Sequence, residues 1–120
     1  MPVQSKSIYE EALPADGVRV LTTNYWPRGV SRERAGTYKR ILGPSRDLLR
    51  AYKDGAIDWP AYEAGYLAEM AADDRREEIR RLAELARAET VTVMCMCKDE
   101  AICHRRLLRD LISRELEATA

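Results

Sequence analysis

Two kinds of apolar run alternate along the chain. Val18-Arg19-Val20-Leu21-Thr22-Thr23 is β-branched and mostly apolar, which predicts a strand buried on at least one face. Val91-Thr92-Val93-Met94-Cys95-Met96-Cys97 is apolar at nearly every position. Such a run suits a strand buried on both faces, in a sheet covered by helices. A shorter segment around Ser7-Ile8-Tyr9 predicts one more strand. Elsewhere the apolar spacing is helical. Trp59, Tyr62, Tyr66, Leu67 and Met70 recur at steps of three and four, so they share one face. Ile79, Leu82, Ala83, Leu85 and Ala86 face inward from a highly charged segment. Leu107, Leu108, Leu111, Ile112 and Leu116 do the same on a final helix over about residues 102 to 117.

Turn and cap residues divide these runs. Pro14-Ala15-Asp16-Gly17 is a turn, because Asp and Gly tolerate unusual φ. Trp26-Pro27-Arg28-Gly29-Val30-Ser31 is a loop, since Pro27 cannot donate to a ladder and Gly29 relaxes the backbone. Ser31 is placed to cap a short helix, and Ser45, after Gly43-Pro44, to cap one through Leu48, Leu49 and Tyr52. Asp58 opens the next helix, with Pro60 in its first turn. Asp74 and Glu77 have capping-box spacing and predict a helix start there. The pattern is α/β: a small, mainly parallel sheet of two to four strands covered by about five helices, in a single domain over residues 1–120.

Composition narrows the function. Hydrophobic residues make up 46% and charged residues 33%, which is ordinary for a folded domain of 120 residues. Twenty basic residues balance twenty acidic ones, so a generally basic nucleic-acid grip is absent and any phosphate site must be local. No apolar run nears the roughly 20 residues that cross a bilayer, so no membrane partner is expected. The N-terminal Met1-Pro2-Val3-Gln4-Ser5-Lys6-Ser7 lacks the apolar stretch of a secretory signal. All three cysteines fall within nine residues, which is no disulfide framework and fits a reducing cytoplasm. Oligomeric state and cofactor are not legible.

In open α/β sheets ligands gather beyond the carboxyl ends of strands. Two loops leave such ends here, residues 24–31 and 97–105. If the two strands are adjacent and parallel, Trp26, Arg28 and Ser31 face Cys97, Asp99, Cys103, His104 and Arg105, with Ser45 nearby. Cys103 at a helix start gains from the positive end of the helix and from Arg105, which makes it the nucleophile candidate. His104, the single histidine, is the candidate base. Arg28 could clamp a carboxylate or phosphate, and Trp26 offers a stacking face. Each has a plainer reading: buried cysteines pack as small apolar groups, tryptophans join cores, and loop arginines are solvated. The Tyr62/Tyr66 face reads as core, and Arg75, Arg76, Arg80 and Arg81 as a solvated face paired with Glu77 and Glu78.

A metal is disfavoured by spacing. Cys95 and Cys97 are neighbours on one face of an extended strand, and adjacent Cys103 and His104 would have to turn the same way. An anion-wrapping Cys-to-Arg loop is disfavoured too: six residues beyond Cys95 and Cys97 stand Ala101 and Cys103, and the loop carries Asp99 and Glu100.

Asp16-Gly17-Val18-Arg19-Val20-Leu21, Trp26-Pro27-Arg28-Gly29-Val30-Ser31, Pro44-Ser45 and Cys103-His104-Arg105 together resemble the domain of unknown function 488 family, over about residues 6–115. Two departures stand out. Thr23-Asn24-Tyr25 replaces the Asp-Arg pair usual before the Trp-Pro block, and the strand end carries two cysteines rather than one. The resemblance implies a small bacterial or archaeal cytoplasmic α/β protein and supplies no reaction. Three functions remain open: an enzyme or binding domain for a small anionic, nucleotide-like molecule; a thiol metal or redox site; and a non-catalytic module for nucleic acid or protein.

Overall fold

The computed structural model describes residues 2–96 and 103–118. Among these residues lie four strands, β1 (Val3–Ser7), β2 (Val18–Leu21), β3 (Thr37–Tyr38) and β4 (Val91–Cys95), all parallel and ordered β1-β4-β2-β3. The helices are α1 (Arg32–Ala35), α2 (Arg46–Lys53), α3 (Trp59–Met70), α4 (Asp73–Ala86) and α5 (His104–Ala118). The expected small parallel α/β fold is what the chain adopts.

β4 pairs with β1 from Val3↔Val91 to Ser7↔Cys95 and with β2 from Val18↔Val91 to Leu21↔Met94. Flanked on both sides, it is buried at every position, which is what its unbroken apolar pattern demands. Alternation along the strands sorts the core in two. Val20, Val91 and Val93 join Tyr66, Leu82, Leu108 and Ile112 in the larger cluster. Leu21 and Met94 point the other way, onto Ile8, Val30 and Ala35.

Three helix starts lie where the caps predict them. Arg34 N–H donates to Ser31 Oγ, Leu48 N–H to Ser45 Oγ, and Ala61 N–H to Asp58 Oδ1, at 3.0–3.2 Å. The Asp74 start is corrected. α4 begins at Asp73 after Ala72, and the Asp74 carboxylate instead accepts from the Arg75 amide and guanidinium.

The first strand also differs from expectation. It runs over Val3–Ser7, upstream of Ile8, in a Val-Gln-Ser-Lys-Ser segment with little strand character of its own. Pairing with β4 overrides that weak propensity. β2 ends at Leu21, two residues short of the predicted run, although the Thr22 amide still donates to the Met94 carbonyl of β4 at 2.9 Å. β4 ends at Cys95: Met96, predicted as strand, is already a bend, and Cys97 lies outside the described residues. β3 carried no sequence signal. It is set by Gly36, whose φ of 65° and close approach to the Arg19 carbonyl leave no room for a side chain. No helix among the described residues is long and apolar enough to cross a membrane.

Candidate functional site: a cysteine–histidine cluster at the rim of the sheet

β4 delivers Cys95 to the C-terminal rim, and the start of α5 brings Cys103, His104 and Arg105 to the same place. The two sulfurs lie 2.6 Å apart, inside ordinary non-bonded contact. His104 Nδ1 is 3.9 Å from Cys103 Sγ, and Arg105 Nη1 reaches Cys95 Sγ at 3.6 Å. All four residues are buried, none more than 5% exposed. A guanidinium held against a buried sulfur favours negative charge there.

The histidine is oriented from β2. Its Nε2 sits 2.8 Å from the carbonyl oxygen of Thr22 and 3.3 Å from Thr22 Oγ1. A carbonyl only accepts, so Nε2 carries a proton, and Nδ1 is the ring nitrogen that faces Cys103. Thr22 is fixed in turn, since its hydroxyl donates to the Met94 carbonyl at 2.9 Å. The Tyr66 ring packs 5.4 Å from the imidazole, and its hydroxyl donates to the Leu42 carbonyl at 2.7 Å. Complete burial, then the neighbouring Tyr62, push the Tyr66 phenol well above its usual value. It therefore stays neutral beside the cluster.

A cavity of about 260 Å³ opens at this rim. It is lined by Cys95, Met96 and His104 from the end of β4 and the start of α5, by Thr23, Asn24 and Tyr25 after β2, and by Leu49, Lys53 and Tyr62 from α2 and α3. The surface continues from Tyr25 and Lys53 past Arg46 and Arg50, with Asp54 among them. Arg46 Nε donates to Asn24 Oδ1 at 3.2 Å, which holds one cation at the mouth. Cys103 does not line the cavity; it lies behind Cys95.

The adjacent parallel placement of β2 and β4 does bring the two rim segments together, but through different residues than the spacing suggested. Thr22, Thr23, Asn24 and Tyr25 make the approach. Trp26 instead stands edge-on to Tyr38 at 5.3 Å, and its Nε1 donates to the Val30 carbonyl at 2.8 Å. Arg28 is exposed, and its carbonyl accepts from the Tyr9 hydroxyl. The Ser31 and Ser45 hydroxyls serve as helix caps. Cys97 and Asp99 lie outside the described residues.

Sequence reasoning passed over Thr22, read as strand, and Lys53, which no motif marks. Tyr62 and Tyr66 are core as their periodicity predicts, at 3% and 0% exposed, yet Tyr62 also borders the cavity and Tyr66 packs on His104. The spacing argument against a metal also meets a different geometry. One ligand atom each from Cys95, Cys103 and His104 lie within 4.8 Å of one another, although two of these residues are adjacent.

A family model described as the active DUF488-N3 subclade matches residues 3–116, which includes the whole cluster. The chain is 30% identical over 112 residues to the uncharacterized protein YeaO of Escherichia coli (strain K12), covering 92% of this chain and 96% of that one. It is 26% identical over 113 residues to the uncharacterized protein Rv3073c of Mycobacterium tuberculosis (strain ATCC 25618 / H37Rv), covering 92% and 93%. No solved structure matches. With the match running almost from end to end and taking in β1 through α5, the chain belongs to the DUF488 family, in its N3 subclade.

Proposed function

We propose that the chain binds a small anionic, nucleotide-like molecule in the rim cavity and exposes it to a reactive cysteine, Cys95. The observation that carries this reading is that Cys95, His104 and Lys53 line one cavity, with Arg46 on the adjoining surface. An anion bound there would lie among Lys53, Arg46 and the cysteine. Arg105, held on Cys95, favours the thiolate that such chemistry needs. Trp26 and Arg28 then serve the neighbouring loop, while Cys103 supports the reacting sulfur and His104 lines the cavity beside it.

Alkylation tests the reading. With iodoacetamide at neutral pH and mass mapping, Cys95 should react about tenfold faster than glutathione. Inorganic pyrophosphate or adenosine monophosphate should slow it, and Lys53→Ala should weaken that protection several-fold. Cys95 reacting at the rate of glutathione, with no protection by either anion, ends the proposal.

A second reading rests on the three ligand atoms within 4.8 Å. Two thiolates and an imidazole suit zinc, and a histidine whose other nitrogen donates to a carbonyl is the usual supporting arrangement. Elemental analysis of untagged protein decides it: a stoichiometric metal supports this reading, and none removes it.

A further inference from the structure

We propose that Cys95 and Cys103 act as a dithiol that reduces a small, carboxylate-bearing disulfide entering through the rim cavity, with Cys95 attacking and Cys103 resolving. The inference rests on the reading of that cavity as the approach to a reactive Cys95, and it names the substrate class and the second sulfur.

Four features divide the labour between the sulfurs. Their contact at 2.6 Å places them ready to join. Their access differs: Cys95 lines the cavity and Cys103 does not, so an incoming disulfide meets Cys95 first. Their electrostatics differ as well. Arg105 Nη1 donates to Cys95 Sγ at 3.6 Å, which favours a thiolate on the attacking residue. Cys103 faces His104 Nδ1 at 3.9 Å, and because Nε2 donates to Thr22, a neutral ring would receive the Cys103 proton at that nitrogen. One sulfur is therefore set to attack and the other to lose its proton. Lys53 in the cavity lining and Arg46 on the adjoining surface complement a substrate that carries carboxylates.

The Cys95 thiolate attacks one sulfur of the substrate R–S–S–R. The substrate bond breaks, a Cys95–S–S–R mixed disulfide forms, and the first RS⁻ leaves and takes a proton from solvent. Cys103 then passes its proton to His104 Nδ1 and attacks Cys95 Sγ. The mixed disulfide breaks, and the second RS⁻ leaves with the proton held on His104. Two protein thiols are oxidised to one disulfide while one substrate disulfide is reduced to two thiols.

The reduced full-length chain is mixed with glutathione disulfide, quenched with acid, alkylated and digested with trypsin. Cleavage after Arg87, Lys98 and Arg105 puts Cys95 and Cys97 on residues 88–98 and Cys103 on residues 99–105. The wild type should release two glutathiones and yield these peptides linked through Cys95, as fragmentation between Cys95 and Cys97 reports. Cys103→Ser should hold one glutathione on Cys95. His104→Ala should accumulate the same mixed disulfide, its resolution slowed about tenfold or more.

Linkage through Cys97, or a Cys103→Ser protein that stays unmodified while its Cys95 still alkylates fast, overturns the dithiol and leaves the reactive-thiol reading standing. Slow Cys95 alkylation in the wild type overturns both. Should the serine variant fail to fold, the wild-type linkage and released glutathione decide alone.

Discussion

At the scale of single residues, Asp16 shows how partners hold a charge in the interior. Asp16 is 2% exposed and sits under Lys6 Nζ at 3.1 Å, while the Leu13 amide donates to its carboxylate at 3.0 Å. Burial works to raise its pKa. The Leu13 and Lys6 hydrogen bonds and the charges of Lys6 and Arg19 outweigh that and hold it below the usual carboxylate value. The folded value is therefore lower than the unfolded one, so this stabilisation is present above the unfolded pKa and is lost as pH falls through the folded pKa. Urea midpoints should fall as pH is lowered from about 5 to about 3. Asp16→Asn should flatten that dependence; an unchanged slope in the variant would remove Asp16 from the acid response. The same attention to partners identifies the histidine tautomer. His104 alone in the sequence is ambiguous, and one backbone carbonyl from Thr22 decides which nitrogen faces Cys103.

At the scale of elements, caps and periodicity were legible because they act over a few residues. Ser31, Ser45 and Asp58 each start a helix where their side chains imply one, and the Tyr62–Tyr66–Met70 face is buried. Ser45→Ala should lower stability by about 1 kcal/mol, read as a shift in chemical denaturation, since Leu48 N–H loses its acceptor. A cost near zero would mean that the cap is redundant with the Ser45 amide's own bond to Glu69. β1 and β3 were less legible for the opposite reason. Val3–Ser7 alternates nothing, and Thr37–Tyr38 is two residues long. Both are strands because a partner edge was waiting: β4 for the first and β2 for the second. The Asp74 capping box failed because α4 starts one residue earlier, at Asp73, which puts Asp74 inside the first turn, where its carboxylate accepts from Arg75.

At the scale of the whole molecule, the site exists only through assembly. Thr22 follows β2, Cys95 ends β4 and His104 opens α5, and only parallel pairing of β2 with β4 puts all three at one rim. Rapid alkylation of Cys95 should accordingly vanish in urea along the same transition that circular dichroism reports. Reactivity that persists in the unfolded chain would assign it to local sequence rather than to Arg105 and the cavity. The chain order of residues was enough to settle the fold class, the burial of the central strand and the gathering of cysteine, histidine and arginine near one helix start, because hydrophobic period and capping are local rules. Which cysteine lines the cavity, which histidine nitrogen donates to Thr22, and that Lys53 rather than Arg28 shares that lining were decided by tertiary packing. Those relations join segments as far as 82 residues apart, and no spacing along a chain encodes the direction in which a side chain points once such segments meet.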